Sequence, residues 1–277
     1  QNLEDTVVYD KVGKLVPVGP DGKTPIPDAP TPSYPNDPTD PTKVIPNEPV
    51  PDVPGYTPVD PTPITPEDPT KDTPVPYTKD PVKAGLTVQY IDQDNNNSVI
   101  KSDAVDGNIG DKIDYSTASS ITDFENKGYI LVTDGFTGQA GDEFTTENNG
   151  QVYKVVFKHG TRPVTPENPA DPNEPVDPDH PDTPTPSNPN LSKEDLQKTI
   201  TRTIEYKYAD GTQAHEPVKQ ELTFTGKGTI DLVTGNLVTV DEDGNITSQN
   251  GKITWNHESQ EFEAVPAIDH DGYYISS

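Results

Sequence analysis

The sequence predicts a mainly β protein with an α+β component: an elongated chain of two small modules joined by proline-rich spacers. Three observations predict it. Apolar and polar residues alternate in short runs within two stretches only, residues 84–160 and 191–277. Nearly all of the 33 prolines fall outside those stretches. With 29% hydrophobic and 7% aromatic residues, the chain has too little apolar material for one continuous core.

Residues 17–83 hold 21 prolines between Pro17 and Pro81, in units such as Asn36-Asp-Pro and Thr65-Pro-Glu-Asp-Pro, with almost no alternation. Each proline restricts φ and removes an amide donor, and the acids between them repel one another, so the stretch is expected as extended polyproline II. At ~3.1 Å per residue it would reach on the order of 200 Å. Residues 161–190 carry ten prolines in the same idiom and are expected as a second linker. A PxxP ligand would set Arg or Lys beside its prolines, whereas here the neighbours are Asp, Glu and Thr.

The first module, 84–160, opens with a strand in which Leu86, Val88 and Tyr90 alternate with polar residues, and it breaks at Asp94-Asn-Asn-Asn. Val99 and Ile100 begin the return strand. Ser119 to Gly128 predicts a short helix capped by Gly128. Tyr129-Ile-Leu-Val and a final strand with Tyr153, Val155 and Phe157 on one face complete an α+β pattern. The second module, 191–277, starts with Ser192-Lys-Glu-Asp, a capping-box pattern, before a strand that places Ile200, Arg202, Ile204, Tyr206 and Tyr208 on one face. Ala209-Asp-Gly-Thr is a hairpin turn, Gln220 to Gly226 a further strand, and Asp241-Glu-Asp-Gly-Asn a tight turn. This whole stretch reads as β.

Charge excludes some partners. A net charge of −27 repels phosphate backbones and anionic headgroups alike, so neither nucleic acid nor membrane insertion is expected. The absence of Cys and Met removes disulfides and the most easily oxidised side chains, which suits an exposed extracellular chain. No signal peptide, long apolar run or LPxTG-like sorting signal is visible, and the chain is expected to be an excerpt of something longer.

No catalytic residue set stands out. His159, His180, His215, His257 and His270 lie in no HExxH pattern, and GxSxG and phosphate-loop motifs are absent. Asp269-His-Asp is expected as a solvated turn, because neighbours on a strand point to opposite faces. Asp92, Asp94, Asn96 and Asp103 match positions 1, 3, 5 and 12 of a calcium loop, but Asn97 replaces the glycine and a strand precedes it. A hairpin turn is the simpler reading; these four are the candidate ligands for weak calcium binding, and no other cofactor is expected. Trp255, Tyr206, Tyr208, Tyr273 and Tyr274 could stack on sugar rings, but their aliphatic neighbours favour core packing.

Val88-Gln-Tyr-Ile-Asp, Gly107-Asn-Ile-Gly-Asp, Asn126-Lys-Gly-Tyr-Ile-Leu-Val-Thr-Asp-Gly-Phe and Tyr153-Lys-Val-Val-Phe-Lys-His-Gly resemble the MucBP-type repeat of mucus-binding adhesins from Gram-positive gut bacteria such as lactobacilli. Thr201-Arg-Thr-Ile-Glu-Tyr, Leu222-Thr-Phe-Thr-Gly, Asp231-Leu-Val-Thr-Gly, Ile253-Thr-Trp, Phe262-Glu-Ala-Val-Pro-Ala and Asp271-Gly-Tyr-Tyr resemble its companion module. The resemblance implies a ubiquitin-like β-grasp module paired with a second β module on a cell-wall-anchored surface protein. It also implies host mucin glycans as ligand, or immunoglobulins in some relatives, with no contact residues to carry over. By the same resemblance, residues 1–16 look like the closing strand of a preceding second-type module, and 191–277 lacks its own. A pure stalk is the rival from another class. A glycosidase would need two positioned carboxylates that nothing in the sequence singles out.

Overall fold

The computed structural model describes residues 2–257 and 259–277. It divides into two compact units, residues 1–83 and 84–277.

In the first unit, residues 17–83 are folded rather than extended as the sequence suggested. Strand β1 (Leu15–Val18) pairs in parallel with β3 (Thr73–Lys79), and β2 (Tyr56–Pro58) pairs antiparallel with the far half of β3. Pro74 and Pro76 fit in β3 because its two neighbours flank different halves, 73–76 and 77–79. Leu15, Ile26, Tyr34, Val53, Val75 and Tyr77 form a buried core, with the Tyr34 hydroxyl on Thr73 and the Tyr77 hydroxyl on the Pro51 carbonyl.

The physical reason lies in the repeated Asp-Pro-Thr unit. In each of its four occurrences the Asp carboxylate accepts the amide of the Thr two residues on: Asp37 to Thr39, Asp40 to Thr42 and Asp60 to Thr62 at 2.9 Å, and Asp68 to Thr70 at 3.0 Å. Proline presets φ between them, so the unit bends the chain into an Asx turn. Spaced turns bring sparse apolar residues together, where polyproline II would keep them apart. Residues 2–12 form no strand and all but the half-buried Val12 are exposed, so the strand expected over 1–16 reduces to Leu15 onward, within the unit's own sheet.

The second unit opens with β4 (Lys83–Asp92), β5 (Ser98–Asn108), helix α1 (Ala118–Asn126), β6 (Tyr129–Asp134) and β7 (Val152–His159), in sheet order β5-β4-β7-β6. The central pair, β4 and β7, is parallel. Leu86, Val88, Tyr90, Val155 and Phe157 are buried at the positions that alternation predicts. Each fully buried side chain of this size contributes roughly 1.5–3 kcal/mol. Phe124 of α1 packs on Tyr90 and Phe157, with ring centroids 5.7 and 5.1 Å apart. The β4–β5 turn uses Asn96 and Asn97 at φ 54° and 55°, a left-handed conformation that asparagine tolerates without glycine.

Next come β8 (Thr161–Val164), helix α2 (Lys193–Leu196), β9 (Gln197–Lys207), β10 (Gln213–Asp231), β11 (Leu237–Val240), β12 (Ile246–Ser248) and β13 (Thr254–Trp255). The stretch 161–190, expected as linker, belongs to this fold. Its β8 pairs with the end of β10, and Val164, Ala170 and Val176 share a core with Leu191, Leu196 and Ile230. Arg162 holds the proline-rich loop by donating to the carbonyls of Val176 at 2.7 Å and of Asn168 and Pro169 at 3.2 Å each. The capping box at Ser192 and Asp195 forms as expected.

Beyond this core, β9 and β10 continue as a two-stranded ribbon. The expectation of core packing for its aromatics is corrected here: Tyr206 and Tyr208 are half-buried, and Trp255, Tyr273 and Tyr274 are exposed. A ribbon has no second layer to bury them against. What covers it is residues 259–277, which add contacts such as Arg202 over the Phe262 ring at 5.7 Å and Tyr208 beside Tyr273 at 5.0 Å.

Candidate functional site

Strands β4 and β7 place polar groups at the same end of the sheet. Their inward positions run Leu86, Val88, Tyr90, Asp92 and Val155, Phe157, His159, so both series change from apolar to ionisable where the strands finish. There His159 Nε2 lies 2.7 Å from Asp92 Oδ2, and Nδ1 lies 2.6 Å from Oδ2 of Asp231, the last residue of β10. All three side chains are buried, at 3%, 4% and 0% exposure.

A neutral imidazole carries one N–H, and a carboxylate oxygen stands within hydrogen-bond distance of each ring nitrogen, so the arrangement is satisfied by the imidazolium. Burial pulls the ring's pKa down. The hydrogen bonds and charges of Asp231 and Asp92 together outweigh that and push it up to about 9. Burial acts to raise the Asp231 carboxyl, but hydrogen bonds from His159 and Gln249, the imidazolium charge and the Val233 amide hold it below its ordinary range. Burial, with Asp92 adding to it, pushes the Tyr129 hydroxyl, 3.4 Å from Asp92 Oδ2, up to about 12.

The backbone closes around this cluster. Asp94 accepts the His159 amide at 2.8 Å, Gly160 N donates to Gly128 O at 2.8 Å, and Leu232 N donates to Gly160 O at 2.9 Å. Gly128 sits at φ +98°, where a Cβ would stand 2.5 Å from the Leu232 carbonyl oxygen. It caps α1 as the sequence predicts, and it also lets residues of the two modules approach. The cluster activates no nucleophile, because both ring nitrogens are engaged and the group is closed to solvent.

The four calcium candidates do not converge. Asp92 faces His159, Asp94 accepts the His159 amide, Asn96 shapes the turn, and Asp103 on β5 accepts the Tyr115 hydroxyl at 2.7 Å with Lys101 Nζ 3.5 Å away. Among the described residues, no three acidic, His or Cys side chains group as metal ligands. Sequence reasoning missed the His159 cluster. Its signal was the alternation itself, which puts Asp92 and His159 on apolar faces; Asp231 lies too far along the chain for any local pattern to supply.

The surface of the first module has a shallow depression of about 520 Å³, lined by Gln139, Asp142, Thr145, Glu147, Asn148 and Tyr153 among others. Asn148 shapes its wall by donating to the carbonyls of Ala140 and Glu143 at 2.9 and 2.8 Å. Its amides, hydroxyls and carboxylates are groups that hydrogen-bond hydroxyls, and its carboxylates repel anions. Among the described residues, no helix is long and apolar enough to cross a membrane.

These features define a two-module, β-rich chain whose modules meet through a buried ionic cluster. Residues 84–159 match the family described as mucin binding domain, and residues 191–277 match the Muc B2-like domain. Among solved structures, the chain is 30% identical to the type 2 repeat of the mucus binding protein MUB from Lactobacillus reuteri, covering 69% of this chain and 85% of that one, with a TM-score of 0.37. It is 26% identical to Mub-RV over 69% of this chain and 84% of that one, with a TM-score of 0.44. No curated protein matches. The chain belongs to the mucus-binding repeat family, as a mucin binding domain followed by a Muc B2-like domain, the two matches together spanning more than half of its residues.

Proposed function

We propose that this chain is a repeat of a bacterial cell-surface adhesin that attaches to host mucus by weak contacts with mucin glycans, strengthened by many copies. The observation that carries the reading is the pair of family matches in tandem order, supported by 30% identity to a repeat of a mucus binding protein over 85% of that repeat. The chemistry is consistent. With a net charge of −27 the chain repels sialylated and sulphated sugars at long range, so contact is made at short range by hydrogen bonds to hydroxyls. Low affinity per repeat then requires multivalency, which raises effective concentration without new contacts. The protein works outside the cell, carried on the cell wall, as a binding module rather than an enzyme.

Binding of the full chain to immobilised native mucin, beside the same mucin stripped of its glycans, tests the reading. Loss of signal on stripping is the expected result. Equal binding to both surfaces would shift recognition to the mucin polypeptide, and binding to purified immunoglobulin alone would replace mucin as the partner. A stalk is the second reading, favoured by the folding of both proline-rich stretches; it predicts binding to none of these surfaces.

A further inference from the structure

We propose that Asp92, His159 and Asp231 form an ionic lock that joins residues 84–160 to residues 161–277 as one body, closed from neutral through mildly acidic pH and released only in alkali. The proposal is independent of the mucus reading, since it concerns how the two modules are joined and not what they bind.

The geometry carries it. Asp92 and His159 end adjacent strands of the first module, and Asp231 ends the longest strand of the second, so the cluster spans the boundary that the two family matches draw. Two carboxylates approach one ring at 2.6 and 2.7 Å where water is excluded. Among the described residues, no lysine or arginine pairs with either carboxylate. The imidazolium therefore neutralises them alone. Without its charge, one carboxylate loses its donor and two anions remain buried side by side, an arrangement that drives the modules apart.

The ionisable groups facing the ring set the pH window. They are Asp92 at the end of β4, Asp94 in the turn beyond it, Tyr129 on β6 and Asp231 on β10, with the neutral amide of Gln249 on Asp231. Raising the imidazole from 6.5 to about 9 means that its contribution is complete below pH 6.5 and disappears as pH climbs through about 9. The depressed Asp231 carboxyl contributes above its ordinary value of 3.8 and is lost only below that. Most histidine switches operate between pH 5 and 8. This one is held shut across that interval.

The test uses the full chain labelled with ¹⁵N in its histidine rings and backbone. The His159 ring is expected to show both nitrogens protonated from pH 4.5 to 8 and to titrate near 9, while backbone relaxation gives one tumbling time for residues 84–160 and 191–257. Raising the pH to 10, or substituting His159→Gln, is expected to split that value in two. An imidazole that titrates between pH 5 and 7 would overturn the proposal, as would a common tumbling time retained at pH 10. Should His159→Gln fail to fold, the wild-type pH series decides by itself.

Discussion

At the scale of single residues, the positions that matter most are ones whose type looks unremarkable in a list. Gly128 is a helix-ending glycine by sequence, and any glycine at φ +98° resists substitution. Its second role depends on Leu232, whose carbonyl oxygen leaves no room for a Cβ. Gly110 supplies the control, at φ +90° with open space where its Cβ would be. Gly110→Ala is expected to cost about 1 kcal/mol, the conformational penalty alone, whereas Gly128→Ala should cost more than about 2 kcal/mol and lower the midpoint of thermal unfolding accordingly. Equal losses in the two variants would mean that the close approach contributes nothing. His159 and Asp92 were legible as core-facing by alternation, since each follows alternating inward apolar residues on its strand. That they meet was not legible, because the parallel pairing of β4 and β7 bridges some sixty residues of intervening chain and no local pattern encodes it.

At the scale of elements, strands and turns inside the two modules follow their residues closely. The 209–212 and 241–245 turns, the Asn-rich hairpin, the capping box at Ser192 and the helix before Gly128 all arise where local chemistry places them. The proline-rich stretches depart from expectation for a definable reason. Composition reports how many prolines there are, but whether they extend or bend the chain depends on their surroundings: in the first stretch Asp before with Thr after supplies the hydrogen bonds of a turn, and in the second Arg162 and the pairing of β8 with β10 hold the loop. A clear consequence follows for hydrogen exchange. Amides of Leu15, Ile26 and Tyr34, which donate to the carbonyls of Pro32, Pro17 and Gly13, are expected to exchange slowly, and Tyr34→Ala, at a cost of about 3–5 kcal/mol, should abolish protection throughout 13–79. Uniformly fast exchange in the wild-type protein would restore the extended spacer.

At the scale of the whole molecule, charge governs the encounter with any anionic surface. A net charge of −27 and an isoelectric point near 4.2 mean that acidification from pH 7 to 4.5 protonates part of the acidic surface and weakens long-range repulsion. Adhesion to native mucin is expected to strengthen over that range, and added salt at pH 7 should mimic part of the gain by screening. Flat or falling adhesion, with the fold intact by circular dichroism, would remove electrostatics from the account. The Asp-Pro-Thr carboxylates contribute little to this titration, because hydrogen bonds from their threonines hold them below the ordinary carboxylate range. By itself the sequence determined the β-rich class, the two modules and their order, the family, and the sign of the field, since each depends on local alternation, motif or composition. Only the tertiary structure decided that the proline-rich stretches fold, that the ribbon's aromatics stay near the surface, and that Asp92, His159 and Asp231 meet. Those outcomes depend on which distant segments cover one another, and burial, unlike alternation, is a property of the neighbours and not of the residue.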